Sequence, residues 1–227
     1  IFCRKRFERN YHYPDEGKKI PAGKSESALS LREAPEEFAE RLSQYDVISF
    51  DVFDTLVFRP FSNPTDLFFI VGEKLKYLDF ERIRKEMEWR ARQKAKEQKD
   101  SYEVTLKEIY RELEEQAGIL LMKGMQAEVE AELGLCFGNP YMLEGFKHLK
   151  RSGKKIICTS DMYLSSAVIR EMVEKCGFRG IENYFISCEY EKSKGDGALY
   201  ELVRKALGSE KTYVHIGDHP VSDVEKA

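Results

Sequence analysis

Short apolar runs alternate with helical stripes along the chain, and this alternation sets the expected architecture. Val47, Ile48 and Phe50 form a run long enough for one buried strand, Val47–Asp51, of a parallel sheet. Upstream, residues 31–44 carry Phe38 and Leu42 on one face and Pro35 in the first turn, which predicts a helix. From Asn63 onward only helical periodicity is seen. Asn63-Pro64 is a helix start leading into Leu67, Ile70, Val71 and Leu75, and a highly charged helix is expected over 80–98. Thr105 and Glu108 form a capping box for the stripe Leu106, Ile109, Tyr110 and Leu113, which ends at Gly118. Another helix is expected over 120–133, and Asn139-Pro140 starts one carrying Leu143, Phe146 and Leu149. Apolar segments at 155–158, 184–186 and 213–216 then alternate with two helices, one built on Leu164, Val168, Met172 and Val173, the other on Leu199, Leu202, Val203 and Ala206.

Such βαβα alternation implies an α/β fold with a doubly wound parallel sheet and right-handed crossovers. The run of about 75 residues of pure helix between the first two strands exceeds what a crossover needs. It reads as an inserted all-helical domain over 62–137, with the core formed by 31–61 and 138–227. The inserted aromatics Phe68, Phe69, Trp89 and Tyr110 are expected to pack in its interior. Residues 1–30 are polar, basic and broken by Pro14, Gly17, Pro21 and Gly23, so they read as a linker or the remnant of an upstream part. The stretch from Gly17 to Ser25 approaches a phosphate-binding loop, but one residue too many separates its glycines and no strand precedes it. Because the chain starts at Ile1 and stops in an expected helix, further structure is expected beyond both ends.

Composition narrows the function classes. Of 227 residues 42% are hydrophobic and 34% charged, enough for a core beneath a well-solvated helical surface. Lys and Arg number 37 against 40 Asp and Glu, a formal charge of −3 that suggests neither nucleic acid nor an anionic membrane as partner. No apolar run reaches the roughly 20 residues of a membrane span. The cysteines Cys3, Cys136, Cys158, Cys176 and Cys188 are odd in number and form no CxxC pair, a pattern expected of the reducing cytoplasm.

Four polar clusters fall at or just beyond expected strand ends: Asp51 with Asp54-Thr55, Ser160, Lys194, and Asp218 with Asp223. In a parallel sheet these ends share one rim, where ligands bind. Two neighbouring carboxylates repel unless a cation lies between them, and a hard divalent ion with oxygen ligands suits that arrangement. A lysine and a hydroxyl add a charge and a donor for an anionic substrate. The set describes a carboxylate nucleophile attacking a phosphoryl group, with Mg²⁺ and Lys offsetting the repulsion. The isolated histidines give little more, and His215, inside a strand, reads as a satisfied core residue. Tyr163 and Arg59 lie near motif ends, within reach of a substrate, but packing or surface roles are the expected ones.

In order and spacing the motifs resemble the haloacid dehalogenase (HAD) superfamily, mostly Mg²⁺-dependent phosphatases with a Rossmann-like core. Asp51-Val52-Phe53-Asp54-Thr55 resembles its first motif, Ser160 its second, Lys194 in Ser193-Lys194-Gly195-Asp196 its third, and Gly217-Asp218-His219-Pro220-Val221-Ser222-Asp223 its acidic fourth. The inserted helices lie where many members carry a cap over the active site. The resemblance implies Asp51 as nucleophile and metal ligand, with the Phe53 carbonyl and Asp218 completing the Mg²⁺ site. Thr55 and Ser160 would hold the phosphoryl group, and Lys194 would bridge it to Asp51. Asp223 would bind metal through water, fix Lys194, or simply start a helix. Thr159 replaces Ser160 if the strand boundary shifts by one. A first motif of this form also resembles HAD hydrolases found alone or joined to glycosyltransferases in bacterial polysaccharide systems. That likeness implies a phosphorylated small-molecule substrate and a fused or cooperating glycosyltransferase.

One position departs from the phosphatase pattern. Where these enzymes carry a second Asp that protonates the leaving group, Phe53 stands, and a phenyl ring transfers no proton. Dehalogenases of the superfamily have an aromatic there but generally lack the acidic fourth motif. Three readings follow, in order: a phosphohydrolase or phosphotransferase with a good leaving group or with Asp54 or His219 as acid, a C–halogen hydrolase, and a Mg²⁺- and anion-binding regulatory domain.

Overall fold

A computed structural model describes residues 33–227 of the chain; the basic segment 1–30 and the phosphate-loop near-miss within it lie outside the described residues. Its central sheet contains β1 (Val47–Phe50), β4 (Lys155–Ser160), β5 (Asn183–Ile186) and β6 (Tyr213–Ile216), in the order β5-β4-β1-β6. Every neighbouring pair is parallel, with Phe50 level with Cys158 on one side and Ile216 on the other. The strands run outward from β1 through β4 to β5, and the chain then returns to place β6 on the far side of β1. The order therefore reverses at β1, and the rim beside its carboxyl end is the switch point where open α/β sheets bind ligands.

The strands are largely apolar because both faces are covered. Ile48, Phe50, Ile156 and Cys158 join the larger core, with Phe38 and Leu42 of α1 (Pro35–Leu42) and Met142, Phe146 and Leu149 of α6 (Pro140–Arg151). That core also takes Ile169, Met172 and Val173 from α7 (Ser166–Lys175). On the opposite face Val47, Ile157 and Phe185 pack against Leu199 and Val203 of α9 (Ala198–Leu207), beyond the short α8 (Ser187–Tyr190). Successive strand residues thus separate onto two faces, as the period of two requires.

Between β1 and β4 the chain forms α2 (Leu67–Leu75), α3 (Phe80–Lys99), α4 (Leu106–Ala117) and α5 (Leu121–Leu135). Two short strands, β2 (Val57–Phe58) and β3 (Phe137–Gly138), pair antiparallel where the chain departs for these helices and where it returns. The start and stop signals operate as expected. The Thr105 side chain accepts from the Glu108 amide, Glu108 accepts in return, and Gly118 closes α4 at φ 68°. Asn63 caps a 3₁₀ turn, Pro64–Asp66, before α2 begins. The helices meet around the Arg84 side chain, fully buried and bound through two nitrogens to Glu128 at 2.8 Å each. The Tyr110 hydroxyl donates to the same carboxylate. Phe68 and Tyr110 are buried as expected, whereas Phe69 and Trp89 are 61% and 62% exposed, contrary to the interior placement expected of them. No helix among the described residues is long and apolar enough to cross a membrane.

Candidate active site

The first motif leaves β1 as a tight loop. The Val52 carbonyl accepts from the Leu56 and Val57 amides, and Asp54 turns the chain at φ 55° while its own amide donates to the Val57 carbonyl. Asn139, the cap of α6, donates from its side-chain amide to the Thr55 carbonyl at 2.9 Å and from its backbone to Leu56. A residue chosen to start a helix thus also fixes the loop that carries Thr55. Among the described residues the buried Thr55 hydroxyl has no hydrogen-bond partner, a costly arrangement unless a ligand supplies one.

Asp51 is buried beside Lys194, whose ammonium lies 2.9 Å from its carboxylate and 2.5 Å from that of Asp223. Burial alone would discharge this lysine; the attraction of Asp51 and Asp223 outweighs it and raises its pKa. The Asp223 carboxylate also meets His215 at 3.3 Å and accepts from the His219 amide at 2.9 Å. Burial would raise its pKa, yet the bond from His215 and the charge of Lys194 together hold it well below the carboxylate range. Ser49 and Thr159 extend the chain inward: the Ser49 hydroxyl is 2.9 Å from both His215 Nδ1 and the Thr159 hydroxyl. Burial keeps His215 neutral, so it donates from Nε2 to Asp223 and accepts from Ser49 at Nδ1. It is the satisfied core histidine the sequence suggests, with the added duty of orienting Asp223.

Asp51, Asp218 and Asp223 can each offer one oxygen within 4.8 Å of the others. Burial, reinforced by the nearby carboxylates of Asp51, Asp54 and Asp223, pushes Asp218 up to about 7. An all-oxygen cluster that resists its own charge is the donor set a hard divalent cation fits. Ser160 ends β4 at the same rim, whereas the Thr159 hydroxyl is engaged by Ser49. Sequence reasoning had left these two interchangeable. It also missed three supports. Asp161 accepts the Lys194 amide with both oxygens, at 2.8 and 3.0 Å. The Tyr200 hydroxyl donates to the Ser222 carbonyl beside Asp223. Ser187, which donates to Glu103 at 2.5 Å, accepts from the Met162 amide and so ties the loop after β4 to the segment between α3 and α4. Only the adjacency of Asp161 to Ser160 offered any signal.

Phe53 is half-buried, and the guanidinium carbon of Arg59 sits 3.9 Å from its ring centroid. Arg59 is clamped by Glu132 of α5 through Nε and Nη2, at 2.8 and 2.7 Å. Of the two acids considered in place of Phe53, Asp54 is half-buried and His219 is exposed. A cavity of about 390 Å³ lies between α2, α3 and the loops after β2 and β4, its lining including Arg59, Phe68, Lys85, Trp89, Met162 and Tyr163. Arg59 and Tyr163 therefore combine the expected packing with access to a hollow.

A parallel α/β sheet with a buried carboxylate, a lysine and an acidic cluster gathered at its switch point defines the class. A family model for haloacid dehalogenase-like hydrolases matches residues 45–227, and the chain belongs to that family. Three solved structures share its fold. YfnB of Bacillus subtilis, described as a HAD hydrolase and bound to magnesium, is 15% identical with a TM-score of 0.53 over 80% of this chain and 83% of its own. The L-2-haloacid dehalogenase PA0810 is 16% identical, TM-score 0.55, over 80% and 79%. The L-2-haloacid dehalogenase of Xanthobacter autotrophicus is 12% identical, TM-score 0.53, over 80% and 73%. No curated protein matches the chain.

Proposed function

We propose that this hydrolase is a Mg²⁺-dependent phosphohydrolase or phosphotransferase acting through an aspartyl-phosphate on Asp51. The observation that carries the reading is the union of the Lys194 ammonium with the Asp51–Asp218–Asp223 cluster. Mg²⁺ would be held by Asp51, Asp218 and the Phe53 carbonyl, and when bound it would offset repulsion between the nucleophile and the phosphoryl oxygens. Lys194, kept protonated, bridges the Asp51 carboxylate and the incoming anion. Thr55, whose buried hydroxyl lacks a partner, and Ser160 donate to phosphoryl oxygens. The bonds made by Asp223 favour the fixing of Lys194 over direct metal ligation, since Lys194, His215 and the His219 amide already occupy its oxygens. Residues 62–137 act as a cap whose cavity receives the non-reacting part of the substrate, a phosphorylated small molecule.

Phosphate release from a substrate panel with and without Mg²⁺ tests the reading. Turnover that needs the ion and vanishes in Asp51→Asn is expected; indifference to both sinks it. Phe53 favours a second reading, hydrolysis of C–halogen bonds, in view of the two dehalogenases that share the fold. That activity would appear as halide release in EDTA. A glycosyltransferase partner belongs to the proposal through the motif resemblance alone, and copurification of the two activities would test it.

A further inference from the structure

We propose that Arg59 is a catalytic residue that stabilises the departing oxygen as an anion, so the substrates are phosphoryl esters or anhydrides whose leaving group needs no proton. The inference rests on the phosphoryl-transfer reading above. Position 53 is where an acid would stand, and Phe53 there has nothing to donate. The structure instead stacks the guanidinium of Arg59 on that side chain, 3.9 Å from the ring centroid. Glu132 fixes the guanidinium plane by gripping Nε and Nη2, while Nη1 has no hydrogen-bond partner among the described residues. Two N–H donors are thus held in a set orientation on a side chain that lines the cavity beside Met162 and Tyr163. A simple tie between the β2 loop and α5 would use the same two nitrogens. It would leave unexplained why the same guanidinium also stacks on Phe53 and belongs to a side chain lining a cavity.

An arginine remains protonated throughout and so cannot act as an acid. In the step inferred, a carboxylate oxygen of Asp51 forms a bond to phosphorus while the bond from phosphorus to the leaving oxygen breaks. The electron pair stays on that oxygen, which departs as an anion paired with Nη1 and takes up a proton only in water. Water then attacks the aspartyl-phosphate; its oxygen and both hydrogens leave with the phosphate, and Asp51 returns as a carboxylate. Aryl, enol and acyl phosphates and phosphoanhydrides satisfy this requirement, whereas alkyl phosphates, which expel a strongly basic alkoxide, do not.

The test is kcat/KM with Mg²⁺ for aryl phosphates whose leaving groups span pKa values from about 4 to about 10, the upper end being phenol-like. Wild type is expected to favour the most acidic leaving groups. Arg59→Met should lose about 10²–10³-fold on the most basic ones, the scale of a lost oxyanion donor, and far less on the most acidic. Arg59→Lys keeps a charge for Glu132 but offers no second nitrogen, so it should fold and show the same steepened profile. Both variants are checked by their thermal melts. An equal loss across the series in Arg59→Lys, or no loss, overturns the inference while the phosphatase reading stands. If wild type releases no phosphate from any member, that reading fails and this inference with it.

Discussion

At the scale of single residues, the site separates into groups whose identity gave them away and groups that only the fold reveals. The convergence of Asp51, Lys194 and Asp218 was legible because parallel strands bring their carboxyl ends, and the loops that follow, to one rim. His215 and Asp161 were not: a histidine inside a strand and an aspartate in a turn have ordinary explanations, and their hydrogen bonds join residues 8 and 33 positions apart. Thr55 offers a clean separation of function from packing. Because its buried hydroxyl is unsatisfied, Thr55→Val should leave the melting temperature unchanged or higher, relieving a penalty of about 1–3 kcal/mol. The same change should slow phosphate release at least about tenfold if the hydroxyl serves the phosphoryl group. A drop in stability without a drop in rate would assign Thr55 to structure.

Asp161 carries a pH dependence with a definite sign. Burial pushes its carboxyl up to about 6 against the opposing bond from the Lys194 amide. The folded chain therefore holds a proton there that the unfolded chain has already lost. Its contribution is favourable below the unfolded value of 3.8 and declines as pH rises toward about 6. The residue keeps a solvent face, so the effect on stability is only a fraction of what the shift alone implies. Melting temperatures of wild type and Asp161→Asn, followed in EDTA from acid to neutral pH, should diverge in favour of the variant as pH rises. Parallel curves would contradict this.

At the scale of elements, the long helices were readable because caps and periodicity agree. The capping box at Thr105 and the closing glycine at 118 fall where the apolar stripe begins and ends. The two-residue strands β2 and β3 went unseen, since two residues carry no periodicity to read. Exposure of Phe69 and Trp89 escaped for a related reason: composition cannot tell which face of an aromatic-rich helix finds a neighbour. Nor could charge patterning show that one of many arginines, Arg84, is fully enclosed. Its pairing with Glu128 holds α3 against α5, and Arg84→Met should cost about 3–5 kcal/mol because it strands a buried carboxylate. Urea unfolding measures this, and a cost below about 1 kcal/mol would mean that water already reaches the pair. Gly124 of α5 leaves no room for more, since a Cβ there would lie 2.2 Å from the Tyr110 ring. Gly124→Ala should therefore destabilise the protein despite the better helix propensity of alanine, by about 1–3 kcal/mol in the same experiment.

At the scale of the molecule, the parallel order β5-β4-β1-β6 turns separated motifs into one site by bringing strand ends to a single rim. That convergence could be expected from βαβ alternation alone, since crossovers of one hand leave little choice of where the carboxyl ends lie. What could not be expected is the seating of the inserted helices on the rim. It depends on individual bonds, such as Leu106 amide to Tyr163 carbonyl and Arg59 to Glu132, which no local pattern announces. On the proposed function, one divalent ion and one phosphoryl group meet at Asp51. A crystal structure of the protein soaked with Mg²⁺ and trifluoroberyllate decides whether they do. The expected result is a single ion shared by the Asp51 and Asp218 carboxylates, with the fluoride mimic on Asp51 and in contact with Thr55 and Lys194. An ion absent from that pair, or a mimic bound elsewhere, would contradict it.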